Sequence, residues 1–273
     1  MKRELKTKLE KLKTVLAEYT NLVVMFSGGI DSSLLLYVCQ KFFPDKLRAI
    51  TILSATLSAE ERTRIEQIVS EIDVEHHYLV SKELENREFV LNDAKRCYYC
   101  KKIRLEQLQQ WVKNFPNTIF LDGSNTDDLQ DYRPGMLAVQ EFPGLLISPF
   151  LLAGFDKQDI RQLAKQMGIK YWDLPSSACL ASRLAYGLEI TVERLRQVEQ
   201  IEKYLATVLT GAIRVRHHGD LARIELNPEN FSSALEENLR KQIVKYCKEA
   251  GFSYVTLDLQ GYQLGSMNRV IER

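Results

Sequence analysis

A short apolar run followed by a loop of glycines and serines is the feature that most constrains how this chain folds. Residues 22–26 read Leu-Val-Val-Met-Phe, residues 27–33 read Ser-Gly-Gly-Ile-Asp-Ser-Ser, and an apolar helical pattern follows. The run is short enough for a buried strand, and glycines let the backbone turn tightly and approach a ligand. The serines supply hydroxyl groups that can cap the next helix, whose free N–H groups bind anions. These features predict a pyrophosphate-binding loop, with an ordinary glycine-rich turn as the alternative.

Strand and helix patterns alternate through the first 170 residues. Strands are predicted at 22–26, 47–53, 74–80, 118–121 and 145–147, and helices at 3–19, 32–43, 58–71, 94–113 and 156–167. This alternation predicts an α/β fold with a doubly wound parallel sheet. Ligands of such sheets bind at the carboxyl ends of the strands, where Ser27, Ser54 and Asp122 lie.

The pattern changes after about residue 184. A long helix is predicted at 191–209, two strands at 213–217 and 221–226, a helix at 238–251 and a strand at 254–259. This order predicts a smaller C-terminal α+β domain. Arg214, Arg216 and Arg223 alternate along the two strands and are expected to share one face. That face either binds a phosphate group or is simply solvated.

Composition excludes several classes of protein. The formal net charge is +1, so we expect no nucleic acid partner. The chain has no run of about eighteen apolar residues, so we expect no membrane span. It begins with a charged amphipathic pattern rather than an apolar signal core, which favours a cytoplasmic protein.

Three of the five cysteines form a distinctive pattern. Cys97 and Cys100 make a Cys-x-x-Cys pair at the start of a predicted helix, and Cys179 lies in a loop rich in Ser, Ala and Pro. Three thiols are one short of a closed tetrahedral zinc site, but three thiolates can hold a 4Fe–4S cluster with one open iron. The alternative is a pair of incidental helix cysteines. Cys39 and Cys247 fall within helical patterns and are expected in the core.

The loop at 27–33 resembles that of the ATP pyrophosphatase (PP-loop) superfamily. It lacks the Gly-Lys-Ser/Thr ending of a Walker A motif. The resemblance implies an enzyme that splits ATP into AMP and pyrophosphate to activate a carboxyl or carbonyl oxygen, with Asp31 holding Mg²⁺. The residues expected to contact ATP are Ser27, Gly28, Gly29, Asp31, Ser32, Ser33, Ser54, Asp122, Gly123 and Arg133.

Further motifs resemble the LarE family of ATP-dependent sulfur transferases of nickel-pincer nucleotide biosynthesis, over nearly the whole chain. They are Asp-Tyr-Arg-Pro-Gly at 131–135, Ser-Arg at 182–183, Ile-Arg-Val-Arg-His at 213–217 and Gly-Phe-Ser-Tyr-Val-Thr-Leu-Asp-Leu at 251–259. The resemblance implies that residues 1–180 bind ATP and residues 181–273 serve substrate binding and assembly into a homohexamer. Its implied substrate is pyridinium-3,5-biscarboxylic acid mononucleotide. The residues expected at its phosphate are Arg183, Arg214 and Arg216, and Glu202 resembles a metal-linked position.

The cysteines set this chain apart from the best-known members of that family, which sacrifice one cysteine sulfur and have no Cys-x-x-Cys pair. Cys97, Cys100 and Cys179 resemble the three-cysteine branch, in which a 4Fe–4S cluster carries an extra sulfide. We therefore expect these three catalytic residues to deliver sulfur from a sulfide or another sulfur donor. The alternatives are a single sacrificial cysteine, or a tRNA-thiolating PP-loop enzyme.

Overall fold

A computed structural model describes residues 3–130, 134–174, 178–263 and 265–270. The predicted ATP contact Arg133 lies outside these ranges. The chain divides into two compact units, the first formed by Met1–Glu83 and Cys97–Ser177 and the second by Leu84–Arg96 and Ala178–Arg273. The sequence predicted a single boundary near residue 180, and it did not predict that the segment Leu84–Arg96 belongs to the second unit.

The first unit contains a parallel five-stranded sheet in the order β3-β2-β1-β4-β5, which confirms the predicted fold class. Its strands are β1 (Asn21–Met25), β2 (Leu47–Leu53), β3 (His76–Val80), β4 (Thr118–Leu121) and β5 (Leu146–Ile147). The order reverses between β1 and β4, and ligands of such sheets bind beyond the carboxyl ends of the strands at that point.

Helices cover both faces of this sheet. They are α1 (Arg3–Ala17), α2 (Ile30–Phe42), α3 (Ala59–Ile72), α5 (Arg96–Trp111), α6 (Gly135–Gln140), α7 (Pro149–Ala153) and α8 (Lys157–Gln166), while α4 (Arg87–Val90) belongs to the second unit. Leu22 and Val24 of β1 pack with α1, α2, α3, α7 and α8, whereas Val23 packs with α5 and α6. Successive side chains of a strand point to opposite faces, so a continuous apolar run suits this doubly covered strand.

The second unit is a mixed three-stranded sheet with helices. Its remaining elements are α9 (Val192–Val208), β6 (Ile213–His218), β7 (Leu221–Leu226), α10 (Phe231–Leu235), α11 (Glu237–Glu249) and β8 (Tyr254–Leu257). Strands β6 and β7 form the predicted antiparallel hairpin, and β8 pairs with β7 in parallel. Within the described ranges, no helix is both long and apolar enough to cross a membrane.

The segment before Cys97 joins the second unit through hydrogen bonds to residues 185–190. The Asn92 side-chain amide donates to the carbonyls of Ala185 and Leu188, at 2.8 and 2.9 Å. The backbone N–H of Ile190 donates to the carbonyl of Val90 at 2.9 Å. These bonds satisfy backbone groups that would otherwise lack a partner. The pattern of apolar residues gives no information about backbone hydrogen bonds, so it did not predict this association.

Candidate active site

The predicted pyrophosphate loop lies between β1 and α2, with Gly28 in the left-handed backbone region at φ 71°. A Cβ atom at this position would lie 2.7 Å from Cγ1 of Ile65 in α3, far inside van der Waals contact. Glycine is therefore required here both by the backbone conformation and by the approach of α3. From the same helix, Nε of Arg64 donates to the Gly28 carbonyl at 3.1 Å.

The loop serines do not cap α2, contrary to the sequence-based expectation. Gly29 occupies the N-cap position, and no side chain of the described residues caps this helix end. The Ser32 hydroxyl instead accepts from the Ser27 N–H at 3.2 Å and donates to the Gly29 carbonyl at 3.1 Å, which closes the loop on itself. The Ser33 hydroxyl is buried without a hydrogen-bond partner among the described residues. The start of α2 thus keeps backbone donors for an anion.

Asp31 forms an ion pair with a lysine of the same unit that lies 126 positions later in the chain. The Lys157 ammonium, at the first position of α8, lies 2.6 and 2.5 Å from the two Asp31 carboxylate oxygens. Lys157 was not predicted as a site residue, because its only local signal in the sequence is a lysine after an N-cap aspartate. Asp31 as a single carboxylate fits the way Mg²⁺ binds in ATP sites, through one or two carboxylates together with substrate phosphates.

Asp122 and Gly123, after β4, lie beside the start of α2. A Cβ atom on Gly123 would lie 2.8 Å from Cβ of Asp31, so the segment after β4 and the start of α2 approach closely. Asp122 accepts from Ser148 Oγ at 2.7 Å and from Lys101 Nζ at 3.2 Å. Burial alone would raise the pKa of Asp122, but the positive charge of Lys101 and these hydrogen bonds lower it overall.

Ser54, after β2, is tied to neighbouring polar groups. Its hydroxyl lies 2.6 Å from that of Thr56 and donates to the carboxylate of Glu83. Glu83 is only 1 % exposed, and its second carboxylate oxygen has no hydrogen-bond partner among the described residues. Glu83 follows β3 and belongs to no sequence motif, so the sequence did not predict it as a site residue.

Cys97 and Cys100 lie on the first turn of α5, beside the lysine that contacts Asp122. Cys97 is exposed and Cys100 is partly exposed. Cys97 and Lys101 are four residues apart and therefore share a helix face. This helix places the thiol pair next to the predicted nucleotide site within the first unit.

Cys39 and Cys247 are buried, as expected from their helical patterns. Burial raises the pKa of both thiols, that of Cys247 to about 11. Neither thiol is therefore suited to act as a thiolate nucleophile at neutral pH.

Cys179 is an exposed residue of the second unit, just before a single helical turn at Leu180–Arg183. Arg183 donates to the carbonyls of Ala178 and Cys179, the latter at 3.1 Å. It also forms a two-fold ion pair with Glu202 of α9, with both distances 3.1 Å. Glu202 further accepts from the Val215 N–H at 3.0 Å, so this acid and this arginine fix the backbone around Cys179.

Arginines line one face of the second sheet, as their alternation predicted. Arg216 lies opposite Arg223 in the β6–β7 register, and Arg214 lies opposite Glu225. Arg216 and Arg223 both contact the fully buried Glu225, at 2.7 and 3.2 Å. Arg214 lies over the Tyr262 ring at 5.4 Å. The face is thus not a freely solvated one, and Glu225 is a residue that sequence analysis missed.

The three predicted cluster ligands all lie in the described part of the chain, Cys97 and Cys100 in the first unit and Cys179 in the second. No group of three or more His, Cys, Asp or Glu side chains in the described part of the chain, which includes all five cysteines, is arranged to hold a metal ion.

Comparisons with known proteins place these features in a family. The asparagine synthase family model matches residues 12–96. An uncharacterized protein of Synechocystis sp. is 36 % identical over 98 % of this chain and 100 % of its own length. An uncharacterized protein of Methanocaldococcus jannaschii is 32 % identical, over 94 % of this chain and 97 % of its own. The pyridinium-3,5-bisthiocarboxylic acid mononucleotide synthase of Lactiplantibacillus plantarum is 32 % identical, over 98 % of this chain and 96 % of its own. With this similarity along nearly its entire length, the chain belongs to the LarE family of PP-loop ATP-dependent sulfur transferases.

Proposed function

We propose that the protein uses ATP to adenylate a carboxylate of pyridinium-3,5-biscarboxylic acid mononucleotide and converts it to a thiocarboxylate. The main support for this proposal is a set of contacts within the first unit that connects Cys97 and Cys100 to the loop at residues 27–33. Lys101, one residue after Cys100, contacts Asp122, and Gly123 packs against Asp31. The name of the Lactiplantibacillus relative gives the product, a bisthiocarboxylic acid mononucleotide, and the dicarboxylic substrate proposed here is the one that the family resemblance implies.

The first step activates the substrate. A carboxylate oxygen attacks the α-phosphorus of ATP, the bond from that phosphorus to the pyrophosphate oxygen breaks, and pyrophosphate leaves. The N–H groups at the start of α2 stabilise the negative charge of the leaving group. Asp31 is the carboxylate that would hold Mg²⁺, and the bound ion would neutralise charge on the pyrophosphate.

The second step transfers sulfur. A sulfur nucleophile attacks the acyl carbon of the adenylate, an acyl–sulfur bond forms, and AMP leaves with the electron pair of the broken carbon–oxygen bond. This covalent activation divides one difficult substitution into two easier ones. Arg214 and Arg216 are the proposed contacts of the substrate phosphate, because guanidinium groups match phosphate geometry.

The sulfur source is proposed to be a 4Fe–4S cluster on Cys97, Cys100 and Cys179. When bound, such a cluster supplies an open iron that can hold an additional sulfide. This part of the proposal rests on the spacing of the thiols and on the family resemblance. In the alternative, Cys179 attacks directly, a base removes its α-proton, its Cβ–S bond breaks, and dehydroalanine remains.

Pyrophosphate release tests the activation step. Anaerobically purified protein should release pyrophosphate from ATP only when the dicarboxylic mononucleotide is present. Asp31→Ala should abolish this release, whereas Asp45→Ala, a change of an exposed turn aspartate, should leave it unchanged. Release that is equal in the Asp31 variant and the parent would contradict the assignment of the loop.

Mass spectrometry after turnover separates the two sulfur sources. Loss of about 34 Da at one cysteine, the mass of hydrogen sulfide, marks a sacrificial thiol and would reject the cluster. Intact cysteines, together with activity that requires iron and added sulfide, would support it. Mössbauer spectra of the anaerobic protein then identify the cluster type.

Assembly into a homohexamer is also proposed from the family resemblance. Strand β8 is an edge strand, and Tyr254 on it and Leu259 just after it are 65 % and 85 % exposed. Large exposed apolar side chains at a sheet edge are typical of protein interfaces. Light scattering that shows a monomer at every concentration would reject the assembly without affecting the chemistry.

A further inference from the structure

We propose that His76 is a positioning residue for the loop at residues 27–33, because its tautomer sets the direction of a hydrogen-bond chain that ends at the start of α2. His76 lies on β3, and β2 separates β3 from the strand that leads into the loop. The inference rests on the proposed function, since it concerns how the nucleotide loop holds its shape.

The chain of hydrogen bonds passes through a threonine on β2. The Thr51 hydroxyl lies 2.8 Å from the Phe26 carbonyl oxygen and 2.8 Å from Nε2 of His76. A hydroxyl has one proton to donate, and a carbonyl oxygen can only accept. The Thr51 proton therefore goes to Phe26, and His76 donates from Nε2 to the Thr51 oxygen. In the other tautomer Nε2 would take the Thr51 proton, and the carbonyl would lose its donor.

The peptide bond between Phe26 and Ser27 continues the chain into the loop. A trans peptide is planar and its C=O and N–H groups point in opposite directions, so a donor to the carbonyl also fixes where the N–H points. The Ser27 N–H donates to the Ser32 hydroxyl at 3.2 Å, and that hydroxyl donates to the Gly29 carbonyl at 3.1 Å. Hydrogen bonds linked in this way polarise and strengthen one another.

The surroundings of His76 keep its ring in the neutral form that the chain requires. The ring contacts Phe26 and Tyr78 edge-on, at centroid distances of 6.3 and 4.3 Å. Burial, and to a smaller extent the nearby His77, lowers the pKa of His76 to about 4. Nδ1 is buried without a hydrogen-bond partner among the described residues, so none of them stabilises a proton on that nitrogen. Near neutral pH, His76 is therefore a donor through Nε2 alone.

Nitrogen NMR of the full-length protein, with isotope-labelled histidine, tests the tautomer directly. The chain has four histidines, so the signals that disappear in His76→Gln are those of His76. At neutral pH we expect a proton on Nε2 and a lone pair on Nδ1. In Thr51→Val, which has no hydroxyl, both tautomers should be populated. A proton on Nδ1 in the parent would overturn the proposal.

Calorimetric titration with inorganic pyrophosphate measures what the chain does for the loop. Thr51→Val keeps the shape of the side chain and should weaken binding about fivefold, the effect of losing one hydrogen bond between neutral groups. His76→Phe should weaken binding by a similar factor. The double variant should lose no more than either single one, because both changes interrupt the same chain. Thr51→Ser and His76→Gln keep a hydroxyl and a nitrogen donor, and they should restore most of the affinity.

The matched control is His77→Phe, at the next position of the same strand, where the ring contacts Trp111 at 5.2 Å. It should bind pyrophosphate within about twofold of the parent. Equal losses in His77→Phe and His76→Phe would contradict the role of His76. So would a Thr51→Val variant that is less stable to urea but binds pyrophosphate like the parent, because that result indicates a purely structural threonine.

Failure of this inference and failure of the proposed function give different results. If the parent binds neither ATP nor pyrophosphate, the proposed function fails. A parent that binds both and carries the His76 proton on Nδ1 would overturn only the role of His76. The NMR measurement needs no change at Thr51, so it decides the proposal even if Thr51→Val does not fold.

Discussion

At the scale of single residues, the nucleotide loop depends on two glycines that differ in what surrounds them. Gly28 has φ 71° and faces Ile65, whereas a Cβ atom on Gly29 would meet only the Ser27 hydroxyl at an ordinary 3.6 Å. The two positions can therefore be compared directly. A side chain added at Gly28 would strain the backbone and clash with Ile65, whereas a side chain added at Gly29 would do neither.

We predict that Gly28→Ala lowers the free energy of unfolding by about 1–3 kcal/mol, because a non-glycine residue is strained at positive φ. Gly29→Ala should cost less, about 0.5–1 kcal/mol, because Gly29 is the N-cap of α2 and alanine is disfavoured there without being strained. Urea unfolding measures both changes. Adding Ile65→Val to Gly28→Ala should recover part of the loss by relieving the contact; equal stability of the two glycine variants would contradict this reading.

A second prediction at this scale concerns Asp122. Its lowered pKa stabilises the fold above the unfolded pKa of about 3.9, and this contribution is lost as pH falls through the folded pKa. Lys101→Gln removes the charge that opposes the effect of burial, so the pKa of Asp122 should rise, and we expect a loss of about 2 kcal/mol at pH 7 that shrinks toward pH 3. Urea unfolding at several pH values measures it. Lys102→Gln removes the same charge from an exposed pair with Glu141 and should show a much weaker pH dependence.

At the scale of elements, α3 packs against the nucleotide loop at residues 27–33, and a capping box stabilises the N-terminus of α3. Ser58 accepts from the Glu61 N–H, and Glu61 accepts from the Ser58 N–H, which makes a reciprocal capping box. The same helix presents Arg64 and Ile65 to Gly28. The stability of this helix start therefore supports the geometry of the loop.

We predict that Ser58→Ala lowers the free energy of unfolding by about 1 kcal/mol, the usual cost of losing an N-cap side chain. Ser70→Ala lies on the same helix, and its hydroxyl bonds only to the nearby Gln67 carbonyl. It should have almost no effect on stability. Amide exchange should show faster opening of the first turn of α3 in Ser58→Ala alone; similar exchange in both variants would contradict the role of the cap.

At the scale of the whole molecule, the second unit depends on the segment that precedes Cys97 in sequence. Asn92 is fully buried, has φ 56°, and donates to two carbonyls of the stretch that leads into α9. Leaving a buried carbonyl unpaired costs about 1–3 kcal/mol. The segment is therefore part of the second unit's core rather than a linker.

We predict that Asn92→Ala lowers the free energy of unfolding by about 2–4 kcal/mol, since two partly buried carbonyls lose their donor and alanine is strained at the φ of 56°. Asn230→Ala, which removes a single bond to the exposed Thr210 carbonyl, should cost far less. Hydrogen exchange should show the loss of protection in Asn92→Ala concentrated in residues 184–190. Protection there equal to that of the parent would show that the segment does not support this unit.

The sequence by itself determined the strands, the longer helices and the nucleotide loop. Apolar periodicity, caps and glycines act between neighbouring residues, so Leu22, Val23 and Val24 indicate a buried strand without reference to the rest of the chain. The alternation of Arg214, Arg216 and Arg223 likewise predicted a shared face, because the two-residue period of a strand is a local property.

Tertiary structure alone decided which charged groups meet. Lys157 with Asp31, Lys101 with Asp122 and Arg183 with Glu202 join residues that are 126, 21 and 19 positions apart. Isolated polar residues have no period and no motif, and their partners depend on where separate elements are packed. The same reason explains Asn92: its bonds are to backbone carbonyls about 95 residues later, and backbone carbonyls carry no sequence information at all.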